Sequence, residues 1–125
     1  MKNREEIIRN YVEAYNQFDV DQMVADFDEA IVFENISNGE TTLSLTGLPA
    51  FREQAVQATT YFSSRTQTVL SFQHQDDQTE VAIDYQGILA IDFPDGLKKG
   101  DSISLKGKSV FTFSGNKVVK LTDIS

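Results

Sequence analysis

The order of apolar and polar positions divides the chain into a helical front and a stranded back. Between residues 4 and 18, Ile8, Tyr11, Val12, Tyr15 and Phe18 recur at helical spacing with Glu, Arg, Asn and Gln opposite, which predicts an amphipathic helix with one buried stripe. Asp19, followed three residues later by Gln22, has the form of a capping box, and Val20, Met23, Val24 and Phe27 supply the stripe of a short second helix. From Ala30 the period falls to two. Val32, Glu34 and Ile36 share one face of this strand, Ile31, Phe33 and Asn35 the other, and Ser37-Asn38-Gly39 ends it. A brief extended piece over Thr41 to Leu45 follows. Pro49 suits the first turn of a third helix, continued by Phe51, Ala55, Ala58 and Phe62 and expected to end near Ser63.

The remainder reads as strands over 66–75, 79–93, 101–114 and 117–124, parted by the turn formers Asp76-Asp77, Phe93-Pro94-Asp95-Gly96 and Ser114-Gly115-Asn116. Three hairpins in succession are therefore predicted. Helices first and antiparallel strands after them mean an α+β domain, a single one over residues 1–125, in which one strongly bent sheet wraps over the helices.

Composition narrows the function more than the fold. With 40% hydrophobic and 24% charged residues, 2 Pro and 7 Gly, the chain has the balance of an ordinary globular protein. It has no Cys, which excludes disulfides, thiolate nucleophiles, iron–sulfur clusters and Cys-based zinc sites. The net charge of -8 repels phosphate backbones and anionic headgroups, so neither nucleic acid nor a membrane surface is an expected partner. Residues 1–62 carry 4 basic and 11 acidic side chains, so the charge lies mostly on the helical half. No apolar run has the length of a signal peptide or a membrane span, and a cytoplasmic location is expected.

The segment from Tyr11 to Asp19, with Met23, Phe27 and Ala30-Ile31-Val32-Phe33-Glu34 after it, resembles the nuclear transport factor 2-like superfamily, and within it the SnoaL-like polyketide cyclase and ketosteroid isomerase branch. Gly47-Leu48-Pro49-Ala50-Phe51 is similar to that family's lead-in to its third helix, and Asn116 to Asp123 is similar to its last strand. The resemblance implies a cone-shaped, cystatin-like half-barrel. Three N-terminal helices would lie in its concave face, with a small-molecule pocket between sheet and helices and a homodimer formed through the sheet. The superfamily holds isomerases, cyclases, dehydratases and epoxide hydrolases beside proteins that only bind or assemble, so membership alone selects no reaction.

Several side chains have the right chemistry for such a pocket. Tyr11 and Tyr15, four apart on the first helix, point the same way. Their hydroxyls either donate to a ligand oxygen or simply wet the rim of the core. By the resemblance, Tyr11 corresponds to an oxyanion-hole Tyr. Glu34 interrupts an apolar alternation, so an inward Glu34 would have a raised pKa suited to proton transfer. The resemblance likewise gives Glu34 the proton-shuttling position. The opposite face is equally apolar, however, and an outward Glu34 fits the pattern too. Asp123 follows Val119 and Leu121 at period two and is expected to face inward as an auxiliary acid, whereas Asp84, flanked by Ala82 and Gln86, is expected on the outer face. Ser109 stands where the isomerase branch has a second acid, and a Ser hydroxyl is the weaker donor.

Met23, Phe27, Phe51, Phe62 and Phe111 are the expected apolar walls. His74, the only histidine, is expected at a hairpin end on the surface, and no Gly-rich phosphate loop is present. Together these residues suggest cofactor-independent acid–base chemistry, an isomerisation, cyclisation or dehydration, on an apolar carbonyl compound. The competing readings are a non-catalytic ligand-binding or dimeric assembly module, and a protein that recruits a partner through its acidic helical half. The dimer has one physical argument of its own: strands 79–93 and 101–114 show few charged positions, and a sheet apolar on both faces needs two covers.

Overall fold

The structure, a computed structural model, describes residues 3–125. Helix α1 (Arg4–Asn16) starts at Asn3, whose side-chain oxygen accepts from the Glu6 N–H at 2.9 Å, and it buries Ile7, Ile8, Tyr11, Val12 and Ala14. It stops two residues before the end of its apolar stripe. Phe18 adopts a left-handed backbone (φ 59°), and the Phe18 and Asp19 N–H groups return to the Tyr15 and Ala14 carbonyls at 3.1 and 2.9 Å, a C-terminal cap usually built on glycine. Asp19 then caps α2 (Val20–Met23) by accepting from the Gln22 N–H at 3.1 Å, as its spacing predicts.

Strands β1 (Phe27–Ser37) and β2 (Glu40–Thr46) form a hairpin, and α3 (Leu48–Ala58) follows with Pro49 in its first turn. Helix α3 ends at Ala58 and not near Ser63. Thr59 and Thr60 turn their hydroxyls back to the Val56 and Gln57 carbonyls, and Phe62 already begins β3 (Phe62–Gln75). The hairpins of β3, β4 (Gln78–Leu89), β5 (Ser102–Ser114) and β6 (Lys117–Ile124) are the three expected. The expected strand over 79–93 ends early, at Leu89, because the chain leaves the sheet in a loop. There Ala90 donates to the Tyr61 carbonyl, and the Asp92 and Asp101 carboxylates hold the Lys99 and Lys98 N–H groups.

The six strands form one unclosed sheet in the order β2-β1-β6-β5-β4-β3, antiparallel throughout except for the parallel pair β1/β6. The last strand is thus inserted at the centre. The helices cover one face, where Ile31, Val81, Ile83, Phe111, Phe113, Val118 and Leu121 meet the α1 stripe and Phe51 and Ala55 of α3. A bulge at Val119 resets the phase of β6, so Val118, not Val119, is fully buried, while Leu121 and Asp123 still face the helices. The outer face differs from expectation. Glu80 and Asp84 on β4 and Lys106 and Lys108 on β5 point there, and Lys108 pairs with Glu80 at 2.9 Å. The argument for a second cover over an apolar face therefore falls away. Among the described residues, no helix is long and apolar enough to cross a membrane.

Strand β6 ends opposite Lys108, so β5 and β4 outrun it and leave Ile103 and Leu105 facing the helix side uncovered. Gly107 has no room for a side chain, since a Cβ there would meet the Ile124 carbonyl oxygen at 2.5 Å. Gly107→Ala should destabilise the fold by about 2 kcal/mol, the cost of forcing two strands apart, and lower Tm by several degrees in a thermal melt. An unchanged Tm would mean that the end of β6 is free to move aside.

Candidate functional site

Two cavities meet between the helices and the sheet. The larger, about 440 Å³, lies between α1, α3 and strands β1 to β3 and is lined by Tyr11, Tyr15, Met23, Phe33, Phe51, Phe62 and Arg65, among others. The smaller, about 270 Å³, occupies the sheet surface left uncovered beyond β6. Tyr15, Asn35, Phe62 and Asp123 line both, so the two are lobes of one cleft.

Asp123 occupies the junction because of strand register. Asn35, Asp123 and Ser109 are direct neighbours across β1, β6 and β5, all on the helix face. The Ser109 hydroxyl donates to Asp123 Oδ1 at 2.7 Å. Burial pushes the Asp123 carboxyl up to about 6, and the Ser109 bond opposes this only in part. Asp123 thus faces inward with a shifted pKa, as its alternation predicts.

Three phenols line the cleft with it. The Tyr15 and Tyr85 hydroxyls are 2.9 Å apart, so one donates to the other and the second keeps a proton for the cleft. Burial raises the pKa of Tyr11, Tyr15 and Tyr85, with the Asp123 charge adding to the effect in each case. All three are neutral O–H groups at ordinary pH. Tyr11 and Tyr15 share the expected face of α1, their ring centroids 6.4 Å apart.

Arg65, on β3, is 3% exposed. Its Nε donates to the Tyr15 carbonyl at 2.9 Å, and its guanidinium carbon lies 3.7 Å from the centre of the Tyr15 ring and 4.6 Å from that of Phe18. Its Nη2 is shut off from solvent and has no hydrogen-bond partner. Beside it, Asn16 and Gln67 exchange two bonds that clamp the end of α1 to β3.

Of the expected wall residues, Met23, Phe51 and Phe62 line the larger lobe and Ser109 the smaller. Phe62 packs directly over Gly87, two of its ring atoms lying 3.1 and 3.2 Å from where a Cβ would stand. Phe27 and Phe111 do not reach the cleft. They pack behind Tyr11, stacked on it at 5.5 Å and edge-on at 5.6 Å, and position its ring.

Glu34 requires a correction. Its neighbours Phe33 and Asn35 take the cleft face, so Glu34 points outward, where it pairs with Lys120 at 2.9 Å. With Ile31 and Phe33 packed against the helices, alternation sends Glu34 to the outer face, where Lys120 meets it. Asp84 lies on the same outer face, as expected. His74 stands near the β3–β4 turn, bonded to Glu5 and Thr79 at 2.9 and 2.8 Å. Tyr85 and Arg65 were not among the sequence candidates. Tyr85 continues the inward series Thr79, Val81, Ile83, a signal the neighbouring Asp84 obscures; Arg65 shares the phase of Gln67 and Val69 but precedes the expected start of the strand at residue 66. Among the described residues, no group of three or more acidic, His or Cys side chains could hold a metal ion.

This architecture, three helices on one face of a mixed six-stranded sheet with a cleft between them, is that of cystatin-like α+β folds. The SnoaL-like domain family matches residues 8–121, and the chain belongs to that family. Among solved structures it is similar to a Xanthomonas campestris protein provisionally described as a polyketide cyclase (17% identity, TM-score 0.80, 97% of this chain and 88% of that one). It is also similar to a cystatin-fold protein from Novosphingobium aromaticivorans (16%, 0.77, all of both chains) and to TerC, co-crystallised with polyporic acid (15%, 0.76, 96% and 88%). Among curated proteins none matches the chain significantly.

Two stability measurements check this geometry. The folded state holds the Asp123 proton more tightly than the unfolded chain does, so this group's contribution to stability is complete below about pH 4 and is lost as pH rises through about 6. Asp123→Asn abolishes that loss. Because the carboxyl is partly open to water in the cleft, the gain at pH 8 should be modest, about 1–2 kcal/mol, and should vanish near pH 4. A variant no more stable than the wild type at pH 8 would show that Asp123 is well solvated. Glu34→Gln, breaking a half-exposed pair, should change stability by less than about 0.5 kcal/mol in urea unfolding, where a loss several times larger would speak for a buried, structural carboxylate.

Proposed function

We propose that this protein binds a small apolar carbonyl compound in the cleft and moves a proton at the carbon beside the carbonyl, the step shared by isomerases, cyclases and dehydratases. The observation that carries the reading is the Asp123 carboxyl, held at the junction of the lobes with its pKa near 6, facing phenols that remain protonated. A base of that pKa is half-ionised close to neutral pH and can both take and return a proton. Removing a proton from carbon leaves an enolate, whose oxygen then accepts a hydrogen bond from the free O–H of the Tyr15–Tyr85 pair or from Tyr11. The Ser109 bond fixes the direction of Asp123. Met23, Phe33, Phe51 and Phe62 supply apolar walls that exclude water and strengthen these interactions. TerC, of the same fold, was co-crystallised with an organic acid, and this supports a small organic ligand here.

The test is exchange of the acidic C–H protons of 2-tetralone in D₂O, followed by mass spectrometry. Wild-type protein should accelerate exchange over buffer, with the rate climbing as pH rises through about 6 and Asp123 loses its proton. Asp123→Asn should slow it by roughly 100-fold. Binding of the ketone without any acceleration would instead favour a ligand-binding module.

A further inference from the structure

We infer that the cleft is made for a ligand carrying an anionic oxygen on an apolar body, with Arg65 as the anchor for that oxygen; the inference rests on the pocket reading above and narrows its substrate class to organic acids. A guanidinium cannot discard its proton when buried, so it must find compensation for lost water. At Arg65 that compensation is incomplete. One of its five N–H donors caps the Tyr15 carbonyl, and the ring faces of Tyr15 and Phe18 provide cation–π contact, yet Nη2 is enclosed without a partner.

No carboxylate is paired with Arg65 among the described residues. Asp123, the acid of the cleft, is held by Ser109. The side chain is therefore a buried, incompletely compensated cation on the wall of a cavity whose volume is in the ordinary range for ligand sites. Capping a helix end does not by itself call for this residue, since a cap uses one N–H and is found mostly on exposed cations. Arg65 lines the larger lobe with Nη2 closed off behind that wall, so a carboxylate or acidic enol entering the lobe would draw the guanidinium toward it and complete the charge-assisted bond that Nη2 lacks, while its hydrocarbon part contacts Met23, Phe33, Phe51 and Phe62. The chain's net charge of -8 works against anions in general, so a preference for an anionic ligand would report this local group.

Titration calorimetry with the isosteric pair 2-naphthoate and 2-naphthamide at pH 7.5 tests the inference on the unmodified protein. The expected result is affinity for naphthoate at least about tenfold above that for the amide. Arg65→Gln should bring the ratio of naphthoate to amide affinity down to about one, Arg65→Lys should keep part of the preference, and Ala58→Trp, which fills the larger lobe, should abolish binding of both probes. Equal affinities in the wild type would overturn the anionic preference and leave the pocket reading standing. Binding of neither probe would overturn both. Naphthoate binding that survives Ala58→Trp would put the anion elsewhere and also overturn the inference. If Arg65→Gln fails to fold, the wild-type ratio and the Ala58→Trp result still decide.

Discussion

The fastening of helix α1 to strand β3 is the constraint from which the cleft follows. Two side chains make it: Arg65 takes the Tyr15 carbonyl, and Asn16 exchanges a donor and an acceptor with Gln67. Tyr15 is thereby fixed at the last turn of the helix, against the ring of Tyr85, and both lobes open beside it. The chain accepts a left-handed Phe18 at this point, where glycine would be unstrained, and gains a second aromatic face for the Arg65 cation. Backbone strain, a helix terminus and part of the cost of a buried charge are thus met within four consecutive residues and one side chain opposite.

The fold was readable wherever the signal was local. Asp19 caps α2, Pro49 opens α3, and the three late hairpins follow their turn residues, all decided within a few positions along the chain. What could not be read depends on distant partners. The parallel insertion of β6 beside β1 leaves no periodic trace, and it is this insertion that offers Lys120 to the outward Glu34. A strand apolar on both faces carries no internal instruction about which face is buried. The single-residue bulge at Val119 shifts the inward phase in the same hidden way, although it spares Leu121 and Asp123. Phe27 and Phe111, expected as cleft walls, lie one layer behind, since a ring lining a cavity and a ring behind it look alike in sequence.

Ser109, which the resemblance sets in the place of an acid, has a different meaning in three dimensions. As a donor to ligand, a serine is a poor substitute for a protonated carboxyl. Here its hydroxyl is spent on Asp123, which it directs and keeps from rising further in pKa. The donors facing the cleft are phenols instead, held neutral by burial and, in the Tyr15–Tyr85 pair, polarised in series. The polar groups divide into one acid of adjustable charge, neutral donors, and one permanent cation, and each has a separate mechanical support.

The direct opposition of Ser109 and Asp123 on neighbouring strands ties the proposed proton transfer to the pairing of two central strands. A slip of one position would send the aspartate to the charged outer surface, because faces alternate. The acid has no loop in which to reorient and no hinge to swing it away. Loss of function on heating should accordingly coincide with melting of the whole sheet, with no inactive but folded stage before it, and variation in this lineage should spare the β5–β6 ladder even where the cleft walls drift.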